Sequence, residues 1–180
     1  MLYDRKALID LIRQKALLFG QFTLASGKTA SYYLDCRRVT LDSRGAYLIA
    51  CGMLECLQEN WPDAVGGMAI GADPITGALL AVAASQGKPL KGFIVRKEAK
   101  THGTGRLVEG PLEAGDRCVI VEDVVTSGGS SLQAIQCVES LGMSVTGILA
   151  VVDRQEGAAE AFAARGYPFR ALLTVGDLGL

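Results

Sequence analysis

The run Cys118-Val-Ile-Val-Glu-Asp-Val-Val-Thr-Ser-Gly-Gly-Ser-Ser131 constrains this chain more than any other stretch. The apolar, mostly β-branched residues 118–121 read as a buried strand. Glu122 and Asp123 follow at its carboxyl end, and Thr126, Ser127, Gly128, Gly129 and Ser130 then make a loop of hydroxyl residues and glycines. After the loop the spacing changes to Leu132, Ile135, Val138 and Leu141, one face of a helix, with Gly142 fitted to its C′ position. A strand, such a loop and a helix start together form an anion cradle. The first amides of a helix lack intrahelical partners, and the helix dipole favours negative charge beside them. Glycine lets the backbone approach a phosphate closely, and Thr and Ser add hydroxyl donors. The acidic pair repels that phosphate and suits hydroxyl groups or a nearby magnesium ion. The corner therefore fits a sugar phosphate, with phosphate on the loop and sugar hydroxyls on the acids.

The chain has 180 residues, enough for one domain with a substantial core. Its net charge of −1 argues against nucleic-acid binding through a basic surface, so anions must be captured locally. Residues 1–6 carry no apolar run of secretory type, and the longest apolar stretch, near 77–84, is too short to cross a bilayer. A cytoplasmic protein with no membrane partner is the expectation. Five cysteines (Cys36, Cys51, Cys56, Cys118 and Cys137) without a C-x-x-C pair read as reduced thiols acting as small hydrophobes.

Strand and helix signals alternate along the chain. Asp4 caps a first helix whose inner side carries Leu8, Leu11, Ile12 and Ala16. A hairpin spans 22–35, and a helix over 43–57 is capped by Asp42 or Ser43. Strands are expected at 65–70, 92–95, 118–121, 145–152 and 169–175, with helices at 74–85 and 156–165 among them. This alternation predicts an α/β fold, a parallel twisted sheet with helices on both faces. A small N-terminal hood, mainly 1–40, would precede a core over 41–180 in a single domain. Ligands of such sheets sit beyond the carboxyl ends of the strands, which places Asp73, Arg96, Asp123 and Arg154 along one edge.

The corner is neither a Walker P-loop nor a dinucleotide fingerprint, since Gly-Lys-Ser/Thr and G-x-G-x-x-G are both missing. Two more segments support an anion site. Ile70-Gly-Ala-Asp-Pro-Ile-Thr-Gly77 opens a second helix at a strand end, with Asp73 as cap and Pro74 near N1. In Arg96-Lys-Glu-Ala-Lys-Thr-His-Gly-Thr-Gly-Arg106, Arg96, Lys97, Lys100 and Arg106 face a single Glu, and the only His of the chain is His102. Positioned cations of this kind stabilise a polyphosphate leaving group as its charge grows.

The corner resembles the phosphoribosyl-pyrophosphate (PRPP) motif of type I phosphoribosyltransferases. Ser26-Gly27-Lys28 with Ser31-x-Tyr33-x-Asp35-x-Arg37, Arg96-Lys97-x-x-Lys100-x-His102-Gly103, and Val152-Asp153-Arg154-x-Glu156-Gly157 narrow the match, and together they resemble the orotate phosphoribosyltransferase family. The resemblance implies transfer of the 5-phosphoribosyl group from PRPP to orotate in pyrimidine biosynthesis, with magnesium held mainly through PRPP and not directly by the protein. It implies PRPP contacts from Asp73, Arg96, Lys97, Lys100, His102, Glu122, Asp123, Val124, Val125 and 126–130, with Lys100, Asp123, His102 and Arg96 as catalytic residues. Orotate would be held by Lys28, Tyr32, Tyr33, Thr126 and Arg154, the last through the carboxylate. The resemblance also implies a homodimer whose basic segment serves the partner's site. A non-proline cis peptide is typical of the pyrophosphate loop, and Ala72–Asp73 is the bond expected to carry it. Tyr32 and Tyr33 stand where some members have phenylalanine. The alternatives are a phosphoribosyltransferase for a purine or uracil, and a PRPP-sensing regulator without catalysis.

Overall fold

A computed structural model describes residues 3–23, 29–98 and 107–180 of the chain. Helix α1 (Arg5–Lys15) starts where Asp4 accepts the Ala7 amide at 2.9 Å, and it buries Leu8, Leu11 and Ile12. Strands β1 (Leu17–Thr23) and β2 (Thr29–Leu34) pair antiparallel as a separate two-stranded sheet, the expected hairpin with a longer first strand. A short helix, α2 (Arg37–Thr40), leads to α3 (Ser43–Leu57), where Asp42 accepts the amides of Arg44 and Gly45, both at 3.1 Å. The same carboxylate pairs with Lys15 at 2.6 Å and so ties α1 to α3.

The main unit alternates as expected: β3 (Ala64–Met68), α4 (Ala72–Ser85), β4 (Lys91–Val95), a two-residue β5 (Val108–Glu109), β6 (Arg117–Val125), α5 (Gly129–Glu139), β7 (Ser144–Asp153), α6 (Ala158–Ala163) and β8 (Phe169–Thr174). The strand order is β5-β4-β3-β6-β7-β8, parallel throughout except for the antiparallel edge strand β5. The chain moves outward from β3 to β4, then returns to β6 on the other side of β3. The carboxyl ends of β3 and β6 therefore flank the point where the winding reverses, the usual place for a ligand crevice.

The period of two along β6 divides the interior. Val119 and Val121 join the core beneath α1, α3 and α4, whereas Cys118 and Ile120 join the core beneath α5 and α6. Cys36, Cys51 and Cys118 are buried free thiols, and Cys56 and Cys137 are half-buried free thiols. No helix among the described residues is long and apolar enough to cross a membrane.

Several boundaries differ from expectation. Strand β6 continues to Val125, so Glu122 and Asp123 lie within it, because β7 keeps pairing as far as Val125↔Asp153. Helix α4 starts two residues early, at Ala72, which places Asp73 at its second position and Pro74 at its third; Gly71 is the N-cap. The cis peptide is Ala69–Ile70, not Ala72–Asp73. Ala72 and Asp73 belong to the first turn of α4, whose geometry uses trans bonds. Helix α5 stops at Glu139, and Leu141 is exposed beyond it while Gly142 takes a φ of +88°. Helix α6 covers only Ala158–Ala163, since Gly157 at φ +97° delays its start.

Ile120 is fully buried at the centre of the sheet. Replacing it with alanine should lower folding stability by about 2–5 kcal/mol, seen as a lower urea midpoint with unchanged slope.

Candidate active site

A cleft of about 630 Å³ opens where the winding reverses, walled by β2 and α2, the turn after β3, the start of the segment after β4, and the end of β6. Past Ile120, β6 has no further paired residue on β3 but stays hydrogen-bonded to β7. The two acids stand in this unpaired stretch. Alternation along the strand sends them to opposite faces.

Glu122 is buried on the α5 side, where it accepts hydroxyl hydrogen bonds from Ser130 at 3.1 Å and Ser131 at 3.2 Å. Burial pushes its carboxyl up to about 7, and the neighbouring Asp123 charge adds to this; the two serines and Lys97 pull the other way. Asp123 faces the hood, and its carboxylate accepts the Val124 amide at 2.8 Å. Burial raises its carboxyl as well, opposed by that hydrogen bond and by the Arg37 guanidinium. Arg37 donates to Asp35 at 2.8 Å, so β2 and α2 bring an ion pair to the same wall. A Cβ on Gly71 would stand 2.9 Å from Asp123 Oδ1 and 3.4 Å from Glu122 Oε1, so the backbone after the cis bond closes over both acids.

The loop after β6 is shorter than expected: only residues 126–128 are loop, and Gly129 and Ser130 form the first turn of α5. Gly128 takes a φ of +80° as N-cap of α5, and a Cβ there would lie 2.6 Å from the Phe162 ring. Only glycine combines that conformation with that approach. The first amides of α5 are left for a ligand beside Thr126 and Ser127.

Arg96 leaves β4 with its amide on the Leu107 carbonyl at 2.8 Å, and its Nε pairs with Glu109 at 3.3 Å. It lines the cleft with Lys97, Glu122, Asp123, Val124 and Ser130. Val125 is buried behind them. Lys28, Lys100 and His102 lie outside the described residues.

Asp73, Arg154 and Tyr32 are not among the residues that line the cleft. Asp73 lines a separate groove of about 290 Å³ with Thr76 and Phe93, and its Oδ1 is buried with no hydrogen-bond partner among the described residues. Arg154 and Tyr32 meet beside the cleft: the guanidinium carbon lies 5.3 Å from the ring centroid, and Nη2 is 3.5 Å from the hydroxyl. Of the two tyrosines, Tyr33 is the one that lines the cleft. Sequence reasoning gave no role to Asp35, Arg37, Ile70 or Glu98, which also line it. The acid and base of Tyr33-Leu-Asp-Cys-Arg37, just before a helix, were the available signal.

A phosphoribosyl transferase domain model matches residues 53–163. The chain is 52% identical over 183 residues to the orotate phosphoribosyltransferase of Rhodopirellula baltica, covering 98% of this chain and 95% of that one. The chain belongs to the orotate phosphoribosyltransferase family. The solved structures agree. The Mycobacterium tuberculosis H37Rv orotate phosphoribosyltransferase in complex with Fe(III) dicitrate has a TM-score of 0.87 at 43% identity, covering 98% of this chain and 99% of that chain. The same enzyme in complex with PRPP has a TM-score of 0.83 at 39% identity, again over 98% and 99%. The expected family and fold class are thereby borne out.

The raised carboxyl of Glu122 predicts a pH dependence. Below about 4.5 the group is protonated in folded and unfolded chains alike; between there and about 7 only the folded chain keeps the proton; above that the folded state carries a buried charge. The contribution of Glu122 to stability should therefore fall as pH rises through this window. Glu122→Gln should be more stable than the parent near pH ~8, by on the order of 2 kcal/mol, and equal to it near pH ~4 in urea unfolding.

Proposed function

We propose that the protein transfers the 5-phosphoribosyl group of PRPP to orotate, giving orotidine 5′-monophosphate and pyrophosphate. The observation that carries this reading is the strand-end crevice, where the buried Glu122 and the half-buried Asp123 adjoin a hydroxyl-glycine turn opening a helix, in a chain 52% identical to a relative of that name.

The parts divide the work. Thr126, Ser127, Gly128, Gly129 and Ser130 hold the 5′-phosphate with backbone amides and hydroxyls. Glu122 and Asp123 hold the 2′- and 3′-hydroxyls, and their charge favours the ribosyl cation that forms as the bond from C1 to the pyrophosphate oxygen breaks. N1 of orotate bonds to C1 and releases its proton. The N1 anion is delocalised, so no dedicated general base is required. Arg96, Lys97, Lys100 and His102 neutralise the departing pyrophosphate. Arg154 takes the orotate carboxylate, a pairing for which a planar guanidinium is suited, while Lys28 and the tyrosines flank the ring. Asp73 supports the pyrophosphate end from outside the cleft lining, near enough to feel the charge of Arg96.

Magnesium fits this site chiefly as a partner of the substrate: the cleft offers the hard oxygens of Glu122 and Asp123, and no group of three potential metal ligands occurs among the described residues. Bound with PRPP, it supplies positive charge to the pyrophosphate oxygens. The resemblance adds a homodimer with the basic segment acting on the partner's site, and the absence of a membrane-crossing helix among the described residues accords with a cytoplasmic enzyme.

Loss of orotate ultraviolet absorbance in the presence of PRPP and magnesium tests the activity. Orotate should be consumed, and adenine, hypoxanthine and uracil should not. Consumption of another base with orotate untouched would replace the acceptor; binding of PRPP with no turnover of any base would point to a sensor. Lys100→Ala should lower kcat about a hundredfold with a smaller change in PRPP affinity, because its charge acts mainly in the transition state.

A further inference from the structure

We propose that Glu156 is a positioning residue that aims the guanidinium of Arg154 at the acceptor's carboxylate, and so sets the preference for a carboxylated pyrimidine over one without the group. This rests on the reading of Arg154 as the partner of that carboxylate.

The backbone of Arg154 is fixed at both ends. Its amide donates to the Val125 carbonyl at 2.9 Å, directly before the hydroxyl-glycine loop. On the preceding residue, the Asp153 carbonyl accepts the Val175 amide at 3.0 Å, and the Asp153 carboxylate accepts the Gln155 amide at 2.8 Å. That second bond folds Gln155 into the left-handed region, at φ +57°. Residues two apart on an extended strand lie roughly 7 Å apart. The left-handed turn brings the Glu156 carboxylate back instead, to 2.8 Å from Arg154 Nε.

The guanidinium is thus ion-paired on its Nε side with Glu156, at close range but without the geometry of a hydrogen bond, and lies over the Tyr32 ring. The opposite edge carries only the 3.5 Å contact from Nη2 to the Tyr32 hydroxyl among the described residues. Two parallel N–H groups remain on that edge, the arrangement a carboxylate accepts in bidentate fashion. The Arg154 side chain is 13% exposed and that of Glu156 49% exposed. A half-exposed ion pair contributes little to folding. A carboxylate beside an anion-binding arginine also repels the anion. Orientation is the effect that outweighs this repulsion: an arginine already ordered does not have to give up its rotamer freedom when the base binds.

Steady-state kinetics with Glu156→Gln, Glu156→Ala and Arg154→Ala, varying orotate and PRPP separately, tests the proposal. In both Glu156 variants the KM for orotate should rise roughly two- to tenfold, the range set by ordering one long side chain. The KM for PRPP and kcat should stay within about twofold, and the inhibition constant of uracil as a competitor of orotate should not change, so that the preference for orotate over uracil in binding shrinks by the factor by which the orotate KM rises. A merely structural role would move both substrates together and lower the thermal midpoint. That pattern would overturn the proposal, as would an unchanged or lower KM for orotate while Arg154→Ala raises it. If Arg154→Ala itself leaves the orotate KM unchanged, the carboxylate reading of Arg154 fails, and the role of Glu156 with it.

Discussion

The site depends on one offset in the sheet. Strand β6 pairs with β3 only as far as Ile120 but with β7 as far as Val125. The last stretch of β6 thus keeps hydrogen bonds on one side and opens a crevice on the other. Because side chains alternate, the adjacent acids in that stretch do different things. Glu122 turns toward the helix that starts at the phosphate loop, and Asp123 turns toward the hood. Two neighbouring letters of the sequence thereby connect the two halves of the site.

The electrostatics follow from the same placement. A chain with a net charge of −1 has no general attraction for a polyphosphate. The cleft lining mixes both signs: Arg37, Arg96 and Lys97 stand among Asp35, Glu98, Glu122 and Asp123. Both acids are desolvated, and both feel an opposing cation, from Lys97 for Glu122 and Arg37 for Asp123. Hydroxyl donors and nearby cations ease the cost of holding the acids charged.

Much of this was readable in the sequence, for identifiable reasons. Helix α3 matched its expected 43–57 span because Asp42 is a strong cap and the apolar face is regular. The turn into α5 was legible because glycine and hydroxyl residues have few other uses directly after an apolar strand, although the helix takes Gly129 and Ser130 into its first turn. Boundaries set by tertiary pairing were not. The extension of β6 is decided by β7, and acids at the end of an apolar run look like a terminus. The early start of α4 rests on Gly71 and Ala72, which carry weak local signals, and it puts Asp73 inside the first turn, on the lining of a separate groove. The hood's Asp35–Arg37 pair went unassigned because its meaning comes from Asp123, far away in the chain. Strand β5 has two residues, too short for any periodicity to mark.

The pairing of β4 with β5 carries a consequence for how this enzyme can diverge. Val95 is aligned with Val108, Arg96 donates to the Leu107 carbonyl, and its side chain reaches Glu109. Both stems of the basic segment are clamped at the sheet edge, independently of the residues between them. Once ends are pinned, chain entropy penalises extra length only logarithmically, about 0.6 kcal/mol per doubling. Insertions, deletions and charge exchanges between the stems therefore perturb folding weakly. Such changes leave untouched the two cores that flank the strand carrying Glu122 and Asp123.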